Sequence, residues 1–341
     1  MVSKRAAIRA ISTHLPSQKL TNEQLAQAYQ DWSVEKIFEK TGISIRSIAE
    51  PGECASDLGL LAAQKLFASG DCIPEDIDFI LFCSQAPDYF LPATACILQD
   101  RLGLKTTCGA LDFNLGCSGF VYGLAVAKGL IETGNANHVL LITAETYSKF
   151  IHPQDRSVRT IFGDGAAATL ISVCSSDDNI LGPFVFGTDG RGANKLMVPA
   201  GGFRLRPDPE TAIVSEDGSG NFRSAQNLYM DGPEIFNFTL KVIPGIVSQL
   251  LEKSRMHLED VDYFVFHQAN KFMLEQLRKK IKIPVDKFCI NMESYGNTVS
   301  ATIPMALEIA RAQKRIKKGD NVMLVGFGVG YSLAAAMVKF I

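Results

Sequence analysis

Long apolar runs are missing from this chain. No stretch of about eighteen uncharged apolar residues occurs in its 341 positions, so no bilayer-spanning helix is expected. Charge of one sign is missing too: 34 Lys and Arg face 36 Asp and Glu, a formal net charge of −2. No global field therefore recruits nucleic acid or an anionic membrane. Close cysteine pairs are absent. The eight cysteines, at 54, 72, 83, 96, 108, 117, 174 and 289, lack the CxxC spacing of a zinc or redox site. Reduced thiols are expected, most of them core fillers. The first residues, MVSKRAAIRAISTHLP, carry basic side chains but no long apolar segment, so they do not read as an export signal. The expectation is a soluble, cytoplasmic protein with no metal, no nucleic-acid partner and no membrane partner. Tryptophan occurs once, at Trp32.

What is there is a large apolar content, 47% hydrophobic against 21% charged, enough for an extensive core in one big domain or two fused ones. It also contains an internal repeat. IPEDIDFILFCSQAPD (73–88) is echoed by HLEDVDYFVFHQAN (257–270), and Glu75-Asp76 stands 184 positions from Glu259-Asp260. GNANHVLLITAETYS (134–148) is echoed by KGDNVMLVGFGVGYS (318–332), with Asn137 and Asn321 again 184 apart. Before each second echo lies a mainly apolar helical stretch, one beginning at Cys117 and the other at Asn297. Cys117 and Asn297 are 180 apart, and such nearly constant offsets over three elements point to duplication. The strand, helix, strand order predicts two mixed α/β halves, 1–175 and 176–341, with two buried central helices between two sheets. Pro304 is expected to bend or break the second of these helices. Residues 196–226, rich in Pro, Gly, Ser and charge, read as a surface flap.

Pseudo-twofold packing would bring the two helix starts together. A helix N-terminus carries unpaired N–H groups and partial positive charge, so Cys117, flanked by Gly116 and Gly119, is expected to have a lowered pKa and an approachable backbone. Each chemical residue also has a bland reading. Cys117 could be a small core residue at a tight turn, His267 in FVFHQAN a hydrogen-bonded core residue, and Asn297 an ordinary helix cap. Their shared pseudo-symmetric placement favours one site over three coincidences, and cysteine, histidine and asparagine together suggest acyl chemistry through a thioester. GFGVGYS (326–332) is not a dinucleotide loop. Tyr331 stands where the third glycine of GxGxxG would fall, and too little chain follows for a βαβ unit. A turn presenting backbone N–H groups to a thioester oxygen fits better.

With these segments in place the chain resembles the thiolase-superfamily condensing enzymes, specifically the β-ketoacyl-acyl-carrier-protein synthase III family, over almost its whole length. LGCSGF resembles the nucleophile segment, HQAN the histidine motif, YGNTVSATIP the asparagine motif and RTIFGDGAAA the central signature; KTGI (40–43) and MDGPEIF (230–236) also fit. The resemblance implies a five-layer αβαβα fold, a homodimer and a ping-pong reaction. Cys117 would take an acyl group from a coenzyme A or carrier-bound thioester. His267 and Asn297 would then help malonyl-acyl carrier protein lose carbon dioxide, giving a 3-oxoacyl product with no cofactor beyond the thioester substrates. It further implies backbone oxyanion donors at Cys117 and Val329, a pantetheine contact at Asn270, and acyl-pocket positions at Phe90, Leu91 and Phe162, with Leu91 reaching the partner's pocket.

The chain departs from the family in its donor-binding residues. The adenine-stacking tryptophan falls at Lys36, with Trp32 one helical turn earlier. The first arginine becomes Lys40, and the second is matched by Arg156. The carrier-docking arginine is replaced by Phe272 beside Lys271, while Lys279 and Lys280 match basic docking positions. Glycine is usual where Val329 stands, which puts that loop's geometry in question. Two rivals follow: an acyltransferase of the same fold that uses an alcohol or amine acceptor, and a non-catalytic condensing subunit. Asparagine at 297, a fixed hydrogen-bond donor unable to remove a proton, favours decarboxylation.

Overall fold

Asp78 and Asp262 perform the same task 184 positions apart. The Asp78 carboxylate accepts from the backbone N–H groups of Asn137 (2.7 Å) and His138 (3.1 Å), and the Asp262 carboxylate accepts from that of Asn321 (2.8 Å). Each aspartate thereby locks the strand that follows it to a parallel neighbour. The computed structural model describes residues 4–29, 31–175 and 180–340. Two such halves build it.

The first sheet has five strands in the order Lys4–His14, Gly165–Ser175, His138–Glu145, Phe79–Cys83, Gly109–Phe113. The second has four, in the order Leu181–Thr188, Ser332–Lys339, Asn321–Gly328, Tyr263–Phe266. In both sheets the two motif strands run parallel to each other, and on the side of the second motif strand the neighbours run antiparallel. Where the first sheet adds Gly109–Phe113, the second keeps only a parallel bridge between Phe264 and Phe288. The last strand of the first sheet ends at Ser175 and the second sheet begins at Leu181. The start of the second half expected at 176 lies outside the described residues.

Helices Gly119–Glu132 and Thr302–Ala312 fill the space between the sheets, Ala55–Ala68 and Thr94–Arg101 cover the first sheet, and Gly232–Ser254 covers the second with Lys271–Ile281 packed beside it. The result is the five-layer αβαβα arrangement. The motif strands are covered on both faces, which is why VLLITA and VMLVGF are nearly continuous apolar runs rather than alternating ones. The middle layer holds one apolar cluster, with Phe120, Leu124 and Ile131 meeting Ile303 and Leu307.

Three helix expectations are corrected. The first middle helix begins at Gly119, with Ser118 as its cap, so Cys117 lies just before it. The second begins at Thr302, after the short 3₁₀ turn Val299–Ala301, so Asn297 does not cap it. Pro304 neither bends nor breaks that helix: it sits in the first turn, where no N–H is needed. The segment 196–226 is indeed a surface excursion, with one small hairpin pairing Ser215–Glu216 to Phe222–Arg223. Arg223 ties it down, reaching Asp155 at 2.9 Å and Asp217 at 2.7 Å. Among the described residues no helix is long and apolar enough to cross a membrane.

Candidate active site

Cys117, His267 and Asn297 line one cavity of about 320 Å³. Each is delivered by a different element. Cys117 ends the turn after Gly109–Phe113. His267 follows strand Tyr263–Phe266, its N–H bonding the Val325 carbonyl at 2.8 Å. Asn297 is held by backbone exchange with the central signature, its N–H to Ile161 O at 2.9 Å and its carbonyl accepting from Gly163 N at 3.0 Å. Phe162 of that signature lines the same cavity. The signature's aspartate, Asp164, is structural: its buried carboxylate accepts from Ala49 N, Ser148 N and the Ser148 hydroxyl.

The thiol's surroundings differ from expectation. Burial, then the Glu145 carboxylate, pushes the Cys117 thiol up to about 12, although the backbone N–H groups of Cys117 and Val329 favour the thiolate. Full desolvation outweighs the partial charge of the helix end, so the predicted lowering is overturned. Burial likewise pushes Glu145 up to about 8, so it is mostly protonated at neutral pH and its charge is largely absent there. His267 is pushed down to about 3 by burial and is a neutral imidazole. The resting pair is therefore thiol and imidazole, not an ion pair.

The two glycines flanking Cys117 also serve packing rather than open approach. A Cβ on Gly119 would meet Cys83 Sγ at 2.3 Å, and one on Gly116 would meet Gln85 Oε1 at 2.4 Å. The strand Asn321–Gly328 presses on the sulfur from the other side, where a Cβ on Gly328 would lie 2.8 Å from Cys117 Sγ. Val329 does not need a glycine conformation; the left-handed backbone falls one residue later, at Gly330 (φ +131°). The Val329 N–H thus keeps its aim at the sulfur.

Asn297 Oδ1 accepts from Val299 N at 2.9 Å, which orients the amide; Nδ2 donates one N–H to the Ala269 carbonyl at 3.4 Å and keeps the other for the cavity. Val299 has φ +55°, a costly conformation for a β-branched residue. Its N–H holds Asn297, and its carbonyl accepts from the Thr302 hydroxyl at 2.9 Å, which also lies 2.7 Å from His267 Nδ1. One strained residue thus orients both polar groups. The ring of Phe327 meets His267 edge-on at 5.5 Å.

Of the expected donor-binding residues, Lys40 and Asn270 line the cavity mouth. Asn270 also caps helix Lys271–Ile281, accepting from Met273 N at 2.8 Å. Lys36 and Arg156 lie outside the cavity. With Lys40 they surround the Trp32 ring, at 5.3 Å, 5.7 Å and, for Lys40, 4.5 Å. Arg156 is held by the Asp31 carboxylate at 2.6 Å and by Ser219 O. Lys271 opens the helix at the mouth, and Lys279 and Lys280 stand exposed at its far end. Phe90 and Leu91 are 76% and 82% exposed and do not join the Cys117 cavity, because the loop after strand Phe79–Cys83 turns outward. Phe90 instead rims a second cavity.

Sequence reasoning missed Thr302, Val299, Glu145, Tyr147 and Gln85. Only Glu145 left a signal, an acid ending the otherwise apolar strand VLLITAE. Among the described residues no group of three or more His, Cys, Asp or Glu is placed to hold a metal ion.

Residues 111–190 match the family model described as 3-oxoacyl-[acyl-carrier-protein] synthase III, and residues 251–340 match its C-terminal counterpart. The chain is 38% identical to the β-ketoacyl-[acyl-carrier-protein] synthase III of Caldanaerobacter subterraneus subsp. tengcongensis over 335 residues, 98% of each chain. It superposes on a crystal structure of a 3-oxoacyl-(acyl-carrier-protein) synthase III with TM-score 0.98 at 55% identity, covering 98% of this chain and 100% of that one. For the 3-oxoacyl-(acyl-carrier protein) synthase from Burkholderia xenovorans LB400 the TM-score is 0.90 at 37% identity, covering 99% and 96%.

Proposed function

This chain belongs to the 3-oxoacyl-[acyl-carrier-protein] synthase III family, and on that premise we propose how its residues join an acyl primer to malonyl-acyl carrier protein. It is an acyltransferase of the condensing type. The observation that carries the residue assignment is the convergence of a thiol, a neutral imidazole and an oriented carboxamide on one cavity.

The Cys117 sulfur attacks the primer thioester carbonyl as its proton passes to His267 Nε2. The developing oxyanion accepts from the N–H groups of Cys117 and Val329, which already point at the sulfur. Collapse releases the donor thiol, which takes the proton from His267, and leaves acyl-Cys117. The malonyl thioester then enters, and its carboxylate leaves as carbon dioxide. The enolate oxygen accepts from Asn297 Nδ2 and His267 Nε2–H, donors that stabilise charge present only along this step. The enolate carbon attacks acyl-Cys117, and collapse frees the 3-oxoacyl product and a Cys117 thiolate, which is reprotonated.

In this reading no cofactor is required beyond the thioester substrates. Lys36, Lys40 and Arg156 receive the donor's phosphates, Asn270 contacts the pantetheine arm, and Lys271, Lys279 and Lys280 meet the acidic carrier. The protein works as a cytoplasmic homodimer. The exposed edge strand Gly109–Phe113, with Leu111 45% exposed, and the exposed Phe90 and Leu91 support a second copy covering that face. Leu91 would then reach the partner's acyl pocket.

The test is a comparison of Asn297→Ala and His267→Ala. Carbon dioxide release from malonyl-acyl carrier protein is expected to collapse in both, while intact-mass analysis still finds acyl-Cys117 in Asn297→Ala. Normal decarboxylation in both variants would refute the assignment.

A further inference from the structure

Two cavities lie close together near Cys117, which lines the first. The first is lined by the three polar groups described above; the second, of about 760 Å³, is lined by none of them. Leu196 lines both. Phe162 faces the first and Tyr147 the second, their ring centroids 5.1 Å apart; Gly328 faces the first and Val329 the second. These residues form the partition, with Cys117 on the side of the first cavity. An acyl group on Cys117 that passes this partition enters the second cavity.

The wall of that cavity is not that of a plain hydrocarbon pocket. Gln85, Asn114, Thr146 and Tyr147 place polar groups among apolar ones such as Leu228 and Phe150. The Tyr147 hydroxyl donates to Gln85 Oε1 at 2.8 Å, which orients the carboxamide and leaves Nε2 with two N–H groups. Among the described residues no acceptor takes them. Gln85 stands beside the nucleophile, since its Oε1 would contact a Cβ on Gly116. A bare alkyl chain seated there would leave these donors facing hydrocarbon, whereas an oxygen on the chain would accept from them.

We propose that the preferred primer is a medium-chain acyl group bearing a hydroxyl or oxo oxygen a few carbons from its thioester, seated in the second cavity with that oxygen accepting from Gln85 Nε2. The proposal rests on the condensing-enzyme reading and names its primer class. Sites built to hydrogen-bond a substituent discriminate strongly against the analogue lacking it.

The experiment measures single-turnover acylation of Cys117 by intact mass, with acetyl-, octanoyl- and 3-hydroxyoctanoyl-coenzyme A and the matching carrier-bound thioesters. Wild-type protein is expected to favour 3-hydroxyoctanoyl over octanoyl by about tenfold or more in kcat/KM with at least one carrier. Gln85→Leu should erase that ratio by slowing the hydroxylated primer far more than octanoyl, and Tyr147→Phe should reduce it by freeing the carboxamide to turn. Equal or faster acylation by octanoyl in wild type overturns the proposal, as does an unchanged ratio in a folded Gln85→Leu. A hydroxyacyl preference without subsequent condensation on malonyl-acyl carrier protein refutes the condensation reading and leaves the primer class standing. No acylation by any thioester overturns both.

Discussion

Thr302 Oγ1 stands 2.7 Å from His267 Nδ1 and 2.9 Å from the Val299 carbonyl, and its single proton can serve only one of them. Given to Nδ1, it leaves Nε2 protonated, the tautomer that donates to the enolate. Given to Val299, it leaves Nε2 bare, the tautomer that takes the thiol proton. Thr302→Ser keeps this choice and should retain carbon dioxide release. Thr302→Val removes it and should lower release roughly ten- to a hundredfold. Imidazole ¹⁵N shifts of His267 report the tautomer directly; identical shifts in wild type and Thr302→Val would dismiss the role.

Alkylation of Cys117 should respond to pH in a telling way. With the thiol pushed up to about 12 and His267 down to about 3, no thiolate–imidazolium pair forms at neutral pH. The iodoacetamide rate at Cys117, followed by peptide mass, should keep rising through pH 9 without a plateau. A plateau below pH 7 would reveal an ion pair and contradict this electrostatic picture.

Glu145 makes stability fall on the alkaline side. Its pKa rises from the ordinary 4.5 to about 8 on folding, so between those values the unfolded chain holds fewer protons and stability declines as pH increases. The contribution is fully present below about 4.5 and lost once pH passes about 8. Glu145→Gln can keep the Ser300 contact without the titration, so its melting temperature should change less between pH 6 and pH 9 than that of wild type. Parallel melting curves across that range would exclude Glu145 as the cause.

Gly328→Ala tests the closeness of strand and sulfur. The added methyl would lie 2.8 Å from Cys117 Sγ and 2.9 Å from its Cβ, so one side must move. Overpacking of this kind costs about 1–3 kcal/mol, a drop of a few degrees in melting temperature for a chain this long. Acylation of Cys117 should fall at least about tenfold, because the same shift misaligns the Val329 N–H. Wild-type acylation in a folded Gly328→Ala would show that the loop tolerates movement.

Much of the site was legible in the residues alone, for identifiable reasons. The 184-residue offsets reappear as matching aspartate contacts at Asp78 and Asp262, and HQAN, LGCSGF and YGNTVS do meet in one cavity. What misled was local logic applied to a buried place. Cys117 beside a helix end was expected to ionise easily, yet complete burial reverses the sign. Gly116 and Gly119 were read as openings for substrate, yet Gln85 and Cys83 occupy the space.

The linear chain by itself determined the duplicated α/β plan, because apolar periodicity and motif order are properties of neighbouring residues. It also singled out three side chains, Cys117, His267 and Asn297, that the fold brings to one cavity. Only the folded structure decided their protonation, since desolvation depends on everything packed around a group from all directions. It alone revealed the strained Val299, the Thr302 hydroxyl and the Gln85–Tyr147 pair, whose roles arise from contacts between segments far apart in sequence.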